Sequence, residues 1–143
     1  DWIVSGMFAR IQEPNPSAGP ELSAGLTLAG VPAPLISTVL DRLKQDTNLI
    51  HVGARYNMGS AGHVTVAYNQ LNDKRASNAD ISSYGVAYTY PLSKRTNLNA
   101  VLTRFNNSAN AQAAPGGNGY LGGVTATAGR DATSLALGMR HSF

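Results

Sequence analysis

Residues 133–143 read Thr-Ser-Leu-Ala-Leu-Gly-Met-Arg-His-Ser-Phe, and two kinds of side chain alternate along them. The odd positions carry Leu135, Leu137, Met139, His141 and Phe143, and the even positions carry Ser134, Ala136, Gly138, Arg140 and Ser142. Successive side chains of a strand point to opposite faces. The segment therefore predicts a β-strand with one apolar face and one polar face.

The same alternation recurs upstream. It predicts strands over 47–59, 63–71, 81–92 and 96–107, and residues 2–11 give a further strand whose two faces are both apolar. Short turns at 59–62 and 91–96 join neighbouring segments; in the first, Gly59 and Gly62 supply the positive φ angles that hairpin turns need. The sequence thus predicts six antiparallel strands, whose connections alternate between short and long.

The longest connection runs from Gln12 to Asp46 and opens with three prolines, which break regular structure. Residues 22–29 are interpreted as a short extended piece. Residues 34–45 have apolar side chains on one helical face and predict a short helix. We expect it to fold over its own loop rather than to contact a membrane surface or a partner. A polar link at 72–80 and a Gly, Ala and Asn-rich loop at 108–132 complete the connections.

Composition narrows the class of protein. Only 13% of residues are charged, whereas about 25% is usual for a soluble domain. There is no cysteine, which excludes a disulfide scaffold or a thiolate metal site. No run reaches the roughly 20 apolar residues of a membrane helix, but a barrel strand needs only about 10 alternating residues. The basic residues form no run with interleaved aromatics, so nucleic acid is not an expected partner despite the net charge of +3.

Three motifs together carry a family resemblance: Val-Gly-Ala-Arg-Tyr-Asn at 52–57, Tyr-Gly-Val-Ala-Tyr-Thr-Tyr at 84–90 followed by Leu-Ser-Lys-Arg-Thr at 92–96, and Gly-Met-Arg-His-Ser-Phe at 138–143. They resemble the trimeric general porins of β-proteobacteria. The resemblance implies an all-β fold, an antiparallel transmembrane β-barrel in the bacterial outer membrane. Residues 1–143 would be the six C-terminal strands of a probable sixteen in a single domain, with the short helix in a long extracellular loop.

The resemblance also implies a function. Such a barrel is a water-filled channel for passive diffusion of small hydrophilic solutes and ions, with no enzymatic activity and no cofactor. The implied partners are outer-membrane lipid and lipopolysaccharide, two further copies in a homotrimer, and the barrel assembly machinery, which would read Phe143 as its signal. The chain starts at Asp1 inside an apolar run, without a methionine or signal peptide, so we expect it to be part of a longer protein. Six strands cannot close a barrel, because the smallest bacterial barrels have eight.

Arg55 and Arg140 are the leading candidates for the channel wall. Each lies on the polar face of its strand among small or neutral residues. One interpretation is structural, with the arginines bracing the wall through carboxylates from the missing part of the barrel. The other is a basic wall that enriches anions and gives the pore a mild anion preference. Further wall candidates on the same faces are His51, His63, Asn57 and Asn69.

The apolar faces carry aromatic residues that are expected to contact lipid or form interfacial girdles. These candidates are Tyr56, Tyr84, Tyr88, Tyr90 and Phe143, with Tyr90 and Phe143 assigned to the periplasmic side. Strict alternation also places Arg104 outward. Either it reaches the headgroup level or a β-bulge shifts the register.

Other patterns are weaker. Residues 117–122 match the dinucleotide pattern G-x-G-x-x-G, but no βαβ unit surrounds them, so a glycine-rich loop is the better interpretation. The three histidines fall on different strands, and no metal site is expected. The alternatives left open are an outer-membrane β-barrel adhesin or enzyme and, with less support, a soluble antiparallel binding barrel. The soluble barrel requires the Tyr and Val faces to be buried.

Overall fold

The computed structural model describes residues 1–116 and 123–143, and a six-stranded antiparallel sheet dominates it. The described strands are β1 (Trp2–Glu13), β2 (Gln45–Asn57), β3 (His63–Asp73), β4 (Ile81–Ser93), β5 (Thr96–Asn107), β6 (Ala113–Ala114), β7 (Gly123–Val124) and β8 (Ala132–His141). The described helices are α1 (Gly19–Leu28), α2 (Ala33–Leu43) and a 3₁₀ turn at Gly59–Ala61.

The strand order is β1-β2-β3-β4-β5-β8, so each strand pairs with its neighbour along the chain except where the β6–β7 hairpin intervenes. The short turns at Gly59–Ala61 and 94–95 lie at one end of the sheet, which we call the hairpin end. The long connections lie at the opposite end, the loop end. Within the described residues, β1 and β8 each pair on one side only, so these strands form an open part of a barrel.

Register separates the two faces of the sheet. One cross-strand row on the apolar face contains Val4, Ala54, Val66, Val86, Leu102 and Leu135. The next row on the polar face contains Ser5, Gly53, Ala67, Gly85, Thr103 and Ser134. The alternation predicted for 47–59, 63–71, 81–92 and 96–107 therefore continues from strand to strand within β2 to β5, because antiparallel pairs in continuous register keep their side chains on common faces.

The apolar face is exposed rather than covered by a core. Val86 is 46% exposed, Tyr88 38%, Leu135 69% and Leu137 77%. Among the described residues, the buried hydrophobic side chains are Ile36 and Ala111, both outside the main sheet. The soluble binding barrel, which needs these Tyr and Val faces buried, is therefore wrong for this arrangement.

Pairing with β2 also resolves the faces of β1, which are ambiguous in sequence. Trp2 pairs with Tyr56 and lies on the apolar face, where their ring centroids are 4.8 Å apart. Ile3 and Met7 pair with Arg55 and His51, so they lie on the polar face. The polar face is thus partly apolar at β1.

The connection between β1 and β2 is helical in two places. The prediction of an extended piece at 22–29 is wrong, because these residues belong mostly to α1. Pro20 lies in the first turn of α1 together with Glu21, and both residues suit a helix N-terminus. The predicted helix at 34–45 is confirmed as α2, with Ile36 buried. No helix of the described residues has the length and apolarity to cross a membrane.

A network around Asp73 orders the loop end. Arg75 donates to Oδ1 of Asp73 from Nε at 2.8 Å and to Oδ2 from Nη2 at 3.1 Å, while its Nη1 donates to the carbonyl of Lys44 at 2.7 Å. Ser77 and Ala79 donate to Oδ2 of Asp73. Asp73 lies five residues beyond Tyr68, the last apolar-face aromatic of β3, and outside the apolar band. Hydrogen bonding from Arg75 holds the pKa of Asp73 well below its usual range.

Candidate functional site

The polar face of the sheet is the candidate site. Its central row consists of the small residues Ser5, Gly53, Ala67, Gly85, Thr103 and Ser134, which we call the small-residue belt. The rows on either side are mixed: one contains Arg55 and Thr65 beside Ile3 and Val101, and the other contains His51 and Asn69 beside Met7 and Phe105. Hydrogen-bonding groups therefore flank the belt at β2 and β3, whereas apolar side chains flank it at β1 and β5.

Arg55 projects from this face toward the hairpin end. Its Nη2 donates to Nδ1 of His63 at 3.1 Å, and its Nε donates to Oδ1 of Asn57 at 3.0 Å. The register brings the three side chains together, because His63 pairs with Asn57 and Arg55 pairs with the next polar-face residue of β3, Thr65. Neutral partners thus orient the guanidinium, and no carboxylate among residues 1–116 and 123–143 forms an ion pair with it.

His51 lies in the row on the other side of the small-residue belt. Its Nδ1 lies 2.6 Å from Oδ1 of Asn69, and Nδ2 of Asn69 donates to Oγ of Ser83 at 3.2 Å. These three residues are direct cross-strand partners on β2, β3 and β4. The row is a continuous chain of hydrogen bonds across three strands.

Arg140 lies on the same face of β8, opposite Asn97 of β5. Beside it, Oγ1 of Thr89 donates to Oδ1 of Asn99 at 2.9 Å, and Nδ2 of Asn99 donates to Oδ1 of Asn97 at 3.3 Å. Thr89, Asn97 and Asn99 are not among the wall residues predicted from the sequence. The alternation of Asn97 and Asn99 with Leu98 is the signal that identifies this row.

Charge is distributed unevenly over the sheet. The ion pairs found among residues 1–116 and 123–143 are Arg10–Asp46, Lys44–Asp41, Arg75–Asp73 and Arg104–Asp131, all at the loop end. Three carboxylates occupy positions that alternate onto the polar face, and each lies at an end of its strand: Asp1, Glu13 and Asp73. In the described part of the chain, Arg55 and Arg140 form no ion pair.

The predicted girdle residues share the opposite face. Tyr56, Tyr84, Tyr88 and Tyr90 occupy apolar-face positions in the register, and Tyr88 Oη donates to the carbonyl of Ala61 at 2.7 Å. Phe143 packs edge-on against His141, with ring centroids 4.8 Å apart. These contacts order aromatic side chains at the hairpin end, as an interfacial position requires.

Arg104 also lies on the apolar face. The register of β5 runs without interruption from Phe105 to Leu98, and the irregularity in β4 falls between Pro91 and Ser93 instead. The bulge explanation for Arg104 is therefore wrong. Its Nη2 donates to Oδ2 of Asp131 at 2.9 Å, at the loop end of the sheet.

Two further sequence patterns concern the histidines and the glycine-rich loop. No group of three His, Asp or Glu side chains in the described ranges is arranged to hold a metal ion. His51 and His63 lie on the polar face, whereas His141 lies on the apolar face and contacts Thr96. The G-x-G-x-x-G match at 117–122 falls outside the described residues.

Comparisons with known proteins agree with this architecture. Residues 4–110 match the model of a family described as Gram-negative porin. Among solved structures, an anion-selective porin from Comamonas acidovorans superposes with a TM-score of 0.59 at 27% sequence identity. The match covers 70% of this chain and 30% of that porin, so the chain spans about a third of its length. A search of curated proteins gives no match.

The family match covers well over half of the chain, and the fold and the separation of its faces fit the same family. The predicted resemblance to Gram-negative porins is confirmed. This chain belongs to the Gram-negative porin family, and its sheet is part of an antiparallel β-barrel of the bacterial outer membrane.

Proposed function

We propose that the polar face is the inner wall of a water-filled channel through which small hydrophilic solutes and ions diffuse passively, with a mild preference for anions. The observation that carries the proposal is the pair of wall arginines, Arg55 and Arg140, which form no ion pair with a carboxylate among the described residues. Further polar groups that can hydrogen-bond to water and passing solutes come from the wall candidates His51, His63, Asn57 and Asn69.

The separation of faces supports this orientation. Hydrocarbon tolerates the exposed Val, Leu and Tyr side chains of the apolar face, whereas the hydroxyl, amide and guanidinium groups of the polar face need water. The backbone groups on the outer edges of β1 and β8 would each cost several kcal/mol if left unpaired in lipid. We infer that residues 1–143 are the C-terminal six strands of a sixteen-stranded, single-domain barrel, and that the other strands pair with these edges.

The size of the anion preference follows from Coulomb's law. A chloride ion about 5 Å from one guanidinium in water gains about 0.8 kcal/mol, and physiological salt reduces this to about 0.4 kcal/mol. One arginine therefore enriches anions about twofold, and two give a ratio of about two to four. The channel is mildly selective for anions. Selectivity arises from the wall charge alone, and the mechanism includes no catalytic step and no cofactor.

The assembly follows from the same resemblance. We propose a homotrimer in contact with outer-membrane lipid and lipopolysaccharide, with Phe143 read by the barrel assembly machinery. The matched Comamonas porin is described as anion-selective, in agreement with the preference proposed here. Tyr90 and Phe143 are the proposed periplasmic girdle, which assigns the hairpin end to the periplasm and the loop end to the exterior.

The test is a reversal potential across a planar bilayer containing the full-length porin in a tenfold KCl gradient. A channel permeable to chloride alone gives a reversal potential of about 59 mV in this gradient. A threefold preference for chloride over potassium gives about 20 mV with the same sign. The double variant R55E/R140E should move the potential toward cations. The matched control is R10Q, which removes a charge from the apolar face and should leave the potential unchanged. A double variant with the wild-type potential would refute the proposal.

A further inference from the structure

We propose that the apolar face carries a binding site for one anionic glycerophospholipid at its hairpin end. The site combines an apolar groove for an acyl chain with a basic turn for the phosphate. It rests on the outer-membrane location of the family and is independent of the proposed ion selectivity, because it lies on the opposite face from the channel wall.

The groove has a volume of about 670 Å³, within the range of about 300 to 1,000 Å³ for pockets that bind small molecules. Its side chains are Tyr88 and Tyr90 of β4, Leu98 and Ala100 of β5, and Leu137 of β8. The small side chain of Ala100 pairs with Tyr88 on one side and Leu137 on the other, so it forms the floor between two larger walls.

The walls of the groove are ordered. The hydroxyl of Tyr88 donates to the carbonyl of Ala61 at 2.7 Å, and the rings of Tyr88 and Tyr90 lie 6.4 Å apart. A pre-formed groove binds an acyl chain without the entropy cost of ordering its side chains.

The basic turn lies directly beyond the groove. Lys94 and Arg95 connect β4 to β5, and both are exposed. The strand advances about 10 Å from Tyr90 to Ser93, which places the two charges at the headgroup level when Tyr90 is at the interface. The turn is held in place because Oγ of Ser93 accepts from the Arg95 amide at 3.2 Å and the Arg95 carbonyl accepts from the Ser142 amide at 2.9 Å.

The charges of this turn select the occupant. In the described ranges neither Lys94 nor Arg95 forms an ion pair, although every ion pair of those ranges uses a basic residue at the loop end. A phosphate accepts charge-assisted hydrogen bonds from both side chains. An anionic lipid therefore satisfies the apolar groove and the basic turn together.

A second copy of this chain is a poorer occupant. The carboxylates next to the apolar face are Asp46 and Asp131, and both lie at the loop end. Asp46 pairs with Arg10, and Asp131 pairs with Arg104. The described part of a second copy therefore offers no apolar-face Asp or Glu side chain at the level of Lys94 and Arg95. Charge complementarity favours the lipid.

The experiment uses the full-length porin with Trp2 and any other native tryptophan replaced by phenylalanine and with an L98W reporter, reconstituted in phosphatidylcholine vesicles that contain dibrominated phosphatidylglycerol or dibrominated phosphatidylcholine. Bromine quenches tryptophan fluorescence on contact, so the ratio of the two quenching curves gives the relative affinity at the groove. Each basic residue near an anionic surface contributes a factor of about five. The variant K94Q/R95Q should therefore lose most of the preference for phosphatidylglycerol, by roughly tenfold or more.

The matched control is R42Q/K74Q, which removes the same charge at the loop end and should keep the preference. The variant A100F fills the groove without changing charge and should reduce quenching by both brominated lipids severalfold, because both carry acyl chains. An unchanged preference in K94Q/R95Q, or unchanged quenching in A100F, would overturn the site. So would a reporter that neither lipid quenches, because a protein surface would then cover the groove. None of these outcomes alters the reversal potential that tests the channel wall.

Discussion

Replacing Asp73 with asparagine should loosen the connection between β3 and β4 while the sheet stays intact. Asp73 is 3% exposed and accepts five hydrogen bonds, three on Oδ2 and two on Oδ1. Asparagine has the same shape but only one acceptor oxygen. In its better orientation the amide oxygen keeps the three bonds at Oδ2, and its NH₂ group then faces the backbone N–H and Nε–H of Arg75.

The expected cost follows from those two lost bonds. A hydrogen bond to a charged group contributes about 1.5–3 kcal/mol, and partial exposure of Arg75 lowers this because water can solvate its guanidinium. We take about 1–2 kcal/mol for each bond, or about 2–4 kcal/mol in all. The equilibrium for local opening of residues 74–80 should then rise by a factor of about 30 to 1,000.

Hydrogen exchange measured by mass spectrometry on the full-length porin is the assay, with 96–107 of β5 as an internal reference. Exchange should rise in 74–80 and in 42–44, since Arg75 also donates to the carbonyls of Arg42 and Lys44. The matched control is D41N, which removes an exposed acid paired with Lys44 and should cost less than about 1 kcal/mol. An increase in 74–80 no larger than that of D41N would refute the role of Asp73.

Three further outcomes are expected. The pKa of Asp73 is lowered in the folded state, so its ionised carboxylate stabilises the 74–80 loop. Protection of that loop from hydrogen exchange, corrected for intrinsic exchange rates, should be constant above about pH 4 and decrease at lower pH. A decrease already between pH 7 and pH 5 would contradict this prediction. G62A should abolish formation of the heat-modifiable folded band on gels, because the new Cβ would overlap a carbonyl of the neighbouring strand at a residue whose φ is 90°. G59A has open space around its Cβ and should lower the stability by only about 1 kcal/mol. Equal yields of folded G62A and G59A would contradict this prediction. V86R on the apolar face should destabilise the barrel by about 2–4 kcal/mol and A87R on the polar face by much less in denaturant titrations, and equal costs would invalidate the assignment of faces.

The alternation of side chains was sufficient to predict most of the sheet. Residues 83–90 alternate strictly between small side chains and large tyrosine or valine side chains, and their faces appear in the structure as predicted. Burial on one face fixes the register of a strand, so a clear pattern in sequence becomes a clear orientation. For β1 the two faces are similar in composition, and only its pairing with β2 distinguishes them.

The features that the sequence did not predict are those whose structure depends on tertiary contacts. Residues 22–29 contain no strong helical periodicity, yet α1 forms there and contacts α2. The hydrogen-bond network around Asp73 depends on groups from 42–44 and 75–79, which are separated in sequence by about 30 residues. No local pattern indicates such a network. The wall arginines are different, because period-two alternation alone assigns Arg55 and Arg140 to the polar face.

The small-residue belt has a consequence for the bore of the proposed channel. Where Gly85 lies, the wall is bare backbone, and an added methyl group would make only ordinary contacts of 3.5 Å or more. At Gly53 the same methyl group would come within 2.9 Å of Oγ of Ser5. A side chain added at Gly85 would therefore project into the proposed channel without displacing its neighbours, whereas one added at Gly53 would first have to displace the hydroxyl of Ser5.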